Sequence, residues 1–164
     1  MQSLALNRHA AVVGRLSRLL GAYVDLRRLG QMRAEKILSQ FPRNDYEPDL
    51  VFFGLEKSQT ITPQTLLHPA PDFIVEVLSP LTAATDRGVK FEDYAAHGVA
   101  EYWLVDPEAE TIEQFVLRDG RYPASVELLR EGVLQSPVIA GLELPVRALF
   151  EDEANLAALR RLLN

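Results

Sequence analysis

The feature that most constrains this chain is an apolar run broken by a single acid: Phe73-Ile74-Val75-Glu76-Val77-Leu78. An unbroken series of β-branched and bulky apolar residues fits a central strand buried on both faces. A carboxylate in such a strand costs several kcal/mol unless a cation or hydrogen-bond donors meet it. A second strand-like run spans Pro48 to Gly54 and opens on Pro48-Asp49. Asp86 and Lys90 follow the Glu76 run, four residues apart on one helical face, with Tyr94 a turn further on.

Strand alternation puts Ile74, Glu76 and Leu78 on one face, and Asp49, Val51 and Phe53 on one face of the earlier strand. Adjacent pairing of the two strands then sets Asp49 beside Glu76. Two carboxylates that close repel, and a Mg2+ or Mn2+ between them removes the repulsion through oxygen ligation. The Val77 carbonyl is a further candidate ligand. Lys90 is placed to position or help deprotonate an attacking water and to offset charge in the transition state. Two strand acids and a lysine are the minimal parts of a metal-dependent phosphodiesterase site.

Composition narrows the remaining classes. With 164 residues, 48% hydrophobic and 24% charged, the chain is expected to be one domain over residues 1–164 with its own core. The net charge of -6 argues against a broadly basic nucleic-acid surface, although Arg15, Arg18, Arg27, Arg28 and Arg33 gather positive charge early in the chain. The absence of cysteine excludes disulfides and thiolate zinc sites. No apolar stretch reaches the ~18 residues of a membrane span, and the start lacks a signal-peptide pattern, so a cytoplasmic protein is expected. The lack of a glycine-rich phosphate loop argues against nucleotide kinases and dinucleotide enzymes.

The patterns predict helices over about 8–28, 83–97 and 150–163. Asn7 reads as the first N-cap and Gly30 as that helix's stop. Strands are expected over about 32–38, 48–54, 72–78 and 101–107, with a hairpin of 111–117 and 122–129 around Asp119-Gly120 and a short strand within 138–144. Residues 56–71 read as a loop. The fold class is α/β, a mixed β-sheet flanked by helices, with 72–105 a parallel crossover.

The ordered series Pro48-Asp49, Glu76-Val77-Leu78-Ser79-Pro80, Asp86-Arg87-Gly88-Val89-Lys90, Tyr94, Gly98-Val99 and Glu101-Tyr102-Trp103-Leu104-Val105-Asp106-Pro107 resembles the Uma-type family of restriction endonucleases, within the PD-(D/E)XK nuclease superfamily. The resemblance runs from about His9 to Phe150. It implies a restriction-endonuclease-like core, divalent-metal cleavage of DNA and a homodimer. It places Asp49 at the family's Pro-Asp aspartate and Glu76 at its strand acid. The superfamily lysine two residues after that acid is Leu78 here, and Lys90 takes its place. The family's Glu-Leu-Ile-Asp-Gly-like hairpin before the first helix has no counterpart in this sequence.

Plainer readings stand beside these. Glu76 is alternatively a structural acid paired in the core, Asp49 a loop cap and Lys90 a solvated partner of Asp86. Asp86 reads first as a helix N-cap, His9 as a buried or capping histidine with an approach to the pocket as the alternative, Tyr94 and Trp103 as packing residues, and Glu101 as a salt-bridge partner with a site role as the lesser alternative. The rival to a nuclease is a catalytically degenerate nuclease-fold dimer used for binding or scaffolding, and a weaker third option is a hydrolase of RNA or nucleotides.

Overall fold

The computed structural model describes residues 4–34, 37–41 and 44–163, the side chains of 4–6 and 163 excepted. It opens on α1 (Leu4–Arg27), whose Val12, Val13, Leu16, Leu19, Leu20, Tyr23 and Val24 form a buried stripe at helical spacing. Asn7 lies inside this helix and does not cap it. The helix stops before Gly30. Arg28 adopts φ 54°, its N–H bonds Asp25 O, and the Leu29 N–H reaches back to Val24 O. That is a Schellman closure with arginine in the left-handed position, which is why glycine spacing misplaces the end.

The chain continues through β1 (Gly30–Ala34), β2 (Ser39–Gln40), β3 (Asp45–Tyr46) and β4 (Leu50–Gly54). The strand expected over 32–38 is thus realised over 30–34, and residues 35 and 36 lie outside the described residues. A four-residue helix, α2 (Leu55–Ser58), starts the 56–71 loop. The next elements are β5 (Phe73–Val77), α3 (Ala83–Arg87), α4 (Val89–Ala96), β6 (Glu101–Asp106) and β7 (Thr111–Val116). The chain closes with β8 (Val133–Gln135), β9 (Glu143–Pro145), a 3-10 turn at Val146–Leu149 and α5 (Asp152–Leu163).

Two sequence expectations change here. The helix over 83–97 is split by Gly88, whose φ and ψ of -109° and -106° leave the helical region. A Cβ there would sit 2.8 Å from the Ala84 carbonyl oxygen, so the break is built on glycine. Asp119 and Gly120 do form the turn, both at positive φ, with Arg121 bridged to Arg118, but residues 122–129 give only one isolated bridge, from Leu129 to Ile112. Pro123 lacks the N–H that a ladder needs.

Five strands form one mixed sheet in the order β1-β4-β5-β6-β7. β5 and β6 are parallel, joined across α3 and α4, and the other neighbours are antiparallel. One face, carrying Leu50, Phe52, Phe73, Val75, Val77, Trp103 and Val105, packs on α1 and the C-terminal segment. The other face, carrying Val51, Phe53, Ile74, Leu104 and Tyr102, packs on α4 and on Phe41. β5 is covered on both sides, which explains its near-continuous apolar sequence. Each fully buried Leu, Phe or Val contributes roughly 1.5–3 kcal/mol, so this strand is held strongly in register.

Candidate active site

β4 and β5 pair with Leu50 opposite Val75 and Val51 opposite Ile74. One further step along that register sets Asp49 opposite Glu76. The Val77 N–H donates to Asp49 Oδ2 at 2.7 Å, so the aspartate is fastened to the neighbouring strand. Val51 and Phe53 share the layer that holds Ile74 and Leu78, and strand alternation carries Asp49 and Glu76 to that same face.

α4 covers this face and brings Lys90. Its Nζ donates to Glu76 Oε1 at 2.9 Å and to Asp86 Oδ1 at 2.8 Å. Tyr94, one turn on, donates its hydroxyl to Glu76 Oε1 at 2.8 Å. The Tyr46 ring lies over the ammonium, 5.9 Å from centroid to Nζ, and its hydroxyl donates to Asp93 at 2.7 Å, tying β3 to α4. Glu76, Asp86 and Lys90 therefore meet at one place, and Asp49 is fastened beside them at the Val77 backbone. Leu78, at the usual lysine position, is buried in the apolar layer.

The two acids differ in surroundings. The Glu76 side chain is 4% exposed and that of Asp49 20%. Burial pushes the Glu76 carboxyl up to about 7, against the opposing pull of Lys90; the charges of Asp86 and Asp49 add to the rise. Burial alone would lower the Lys90 ammonium, but the charge of Glu76 and the bond to Asp86 outweigh it and the net direction is upward. Lys90 is thus held as a cation between Glu76 and Asp86, placed to orient water and neutralise charge.

Several residues behave otherwise than their spacing suggests. Asp86 is no N-cap: it lies within α3, buried, with Oδ1 on Lys90 and Oδ2 without a hydrogen-bond partner. Tyr94 packs in the aromatic layer and also orients Glu76. Glu101 has no ion pair among the described residues; it accepts from Trp103 Nε1, Gln114 Nε2 and Ser136 Oγ. Arg15 and Arg18 are committed to Asp152 and Asn155 of α5 rather than to a basic stripe at the site. His9 is neither buried nor capping: its Nε2 stands 3.3 Å from Asp49 Oδ2. The i,i+4 spacing of Asp86, Lys90 and Tyr94 is a local signal for their shared face, whereas His9 has none, because tertiary packing makes its contact.

The donor set suits a hard divalent ion that keeps waters. Among the described residues no three His, Asp or Glu side chains form a complete cage. Two carboxylates on neighbouring strands, with other positions left to water and phosphate, match the way Mg2+ is usually held. The buried, unpartnered Asp86 Oδ2 marks this cluster as under-satisfied.

No curated protein matches this sequence. Among solved structures, a putative nuclease of the DUF820 group from Anabaena variabilis shares the fold with a TM-score of 0.72, at 22% identity over 87% of this chain and 80% of that one. The model of the Uma2 family, described as putative restriction endonuclease, matches residues 1–147. The chain belongs to the Uma2 family, and the five-stranded mixed sheet with its flanking helices is that family's nuclease fold.

Proposed function

We propose that this protein is a metal-dependent DNA endonuclease, with Asp49 and Glu76 holding Mg2+ or Mn2+ and Lys90 serving the attacking water. The observation that carries this reading is the Asp49 carboxylate bound to the N–H of Val77, next to Glu76 along β5, with the Lys90 ammonium 2.9 Å from the glutamate. The family description, putative restriction endonuclease, supports the reaction class and favours DNA as the substrate. When bound, the ion supplies charge to the phosphate and lowers the pKa of a water. Asp49 and Glu76 hold it, Tyr94 fixes Glu76, and Asp86 fixes Lys90. The Lys90 cation orients the water and offsets negative charge on the phosphorus oxygens as the P–O bond to the leaving group breaks. We place the activity in one domain over residues 1–164, in a cytoplasmic homodimer.

Plasmid nicking in Mn2+ tests this directly. Asp49→Ala and Glu76→Ala are expected to lower the rate by ~100-fold or more while the fold persists by circular dichroism. A wild-type chain that neither cuts nor binds metal rejects the reading.

One observation favours the degenerate alternative: Glu76 and Asp86 are nearly inaccessible and both bond Lys90. Calorimetric titration with Mg2+ and Mn2+ separates the two, since a degenerate site gives no saturable heat.

A further inference from the structure

We propose that Arg33 and His68, in the pocket at the β1 edge of the sheet, form a subsite for a backbone phosphate of the DNA strand, beside the phosphate to be cut. This rests on the nuclease reading above.

The pocket has a volume of about 340 Å3 and is lined by Gln31, Arg33, Ile61, Thr62, Pro63 and His68. It lies on the Lys90 side of the sheet. Gln31 and Arg33 stand opposite Phe53 and Val51 across the β1–β4 ladder, and directly opposed residues share a face. Val51, Phe53 and the pocket's Ile61 all belong to the layer that holds Ile74, Leu78 and Tyr94. Val51 in turn stands opposite Ile74, two residues before Glu76. Two interstrand steps of ~4.8 Å and two residues of ~3.3 Å thus separate Arg33 from Glu76, about 12 Å between Cα atoms. A strand held at Glu76 and crossing the open β1 edge passes a neighbouring phosphate over this pocket.

The two side chains are supplied for an anion. Arg15, Arg87 and Arg147 each pair with a carboxylate. Arg33 bonds only neutral oxygens among the described residues, Met32 O at 3.0 Å and Gln31 Oε1 at 2.9 Å. Its charge is unmatched, and a guanidinium has five N–H donors in a fork that fits phosphate. His68 is only 8% exposed, yet its Nδ1 has no hydrogen-bond partner among the described residues. A buried polar atom left empty calls for an explanation, and a bound ligand is one. The ring is held in place: it stacks on Phe53 at 5.8 Å, and its backbone is pinned by bonds to Leu38 O and from the Gln40 N–H.

A labelled DNA duplex, followed by fluorescence anisotropy without divalent ions, is the probe, because the subsite uses no metal and nothing is cut. Arg33→Ala is expected to weaken binding by about tenfold and to lower the slope of log K against log salt by about one, the signature of one lost phosphate contact. His68→Phe keeps the stack on Phe53, removes both ring nitrogens, and should weaken binding by about threefold. Arg121→Ala, past the other edge strand β7, is the control and should change neither quantity. Unchanged affinity and slope in Arg33→Ala, or an equal loss in Arg121→Ala, overturns the subsite, and full affinity in His68→Phe overturns the two-residue site. If Arg33→Ala instead weakens only inorganic phosphate, read by 31P NMR, the pocket takes the free ion and the backbone assignment fails. No duplex binding by the wild type also overturns the subsite; plasmid nicking then decides separately whether the nuclease reading stands.

Discussion

Glu76, Asp86 and Lys90 form a three-membered ion cluster with the lysine between two nearly inaccessible carboxylates. Removing the cation strands two buried acids, which costs far more than losing a surface pair. Lys90→Met is therefore expected to destabilise the metal-free protein by about 3–5 kcal/mol at pH 7, and Glu76→Gln in the same chain to recover part of it. Urea unfolding measures both. Glu101 gives a pH prediction away from the site. Burial raises its carboxyl above the ordinary 4.5, and the bonds from Ser136, Gln114 and Trp103 offset this only in part. A raised acid stabilises the fold most below its unfolded value and loses that contribution as pH climbs through the folded value. Glu101→Gln should flatten the decline above pH 4.5. A variant with the same slope as wild type would refute the assignment.

At the scale of elements, glycine and left-handed positions mark where the backbone departs from the periodic pattern. Gly30 has φ 145°, and a Cβ there would lie 2.1 Å from the Phe53 carbonyl oxygen, in the partner strand β4. Gly30→Ala should cost about 2–4 kcal/mol and loosen β1 first, visible as faster amide exchange at Met32 and Phe52. Arg28 carries the opposite lesson. It holds the left-handed end of α1 at φ 54°, a position that suits glycine. Arg28→Gly is expected to stabilise by about 1 kcal/mol in thermal melts. Neither position was legible as such beforehand. Gly30 read as a stop signal, yet it opens a strand, because backbone strain depends on which chain lies alongside.

At the scale of the molecule, the sheet carries two separate cores, and the site lies where both contribute. His9 of α1 approaches Asp49, and Lys90 and Tyr94 of α4 bond Glu76. Metal binding to the folded state alone should therefore stabilise the whole chain. At a hundredfold excess over Kd the gain is ~2.7 kcal/mol, or roughly 5–10 °C in Tm. Asp49→Asn should abolish that shift, as differential scanning fluorimetry with and without Mn2+ will read.

What the amino-acid order determined by itself was local or periodic: the doubly buried β5, the face of Glu76, the parallel crossover, and the i,i+4 face of Lys90. These follow from side-chain geometry along a single strand or helix, which repeats every few residues. What only the tertiary structure decided was which distant groups meet. The closed triad around Lys90, the three neutral donors to Glu101, the engagement of Arg15 and Arg18 by α5, and His9 beside Asp49 all join residues from different elements. Local sequence has no term for those distances, because they are set by how the two helical layers seat on the twisted sheet.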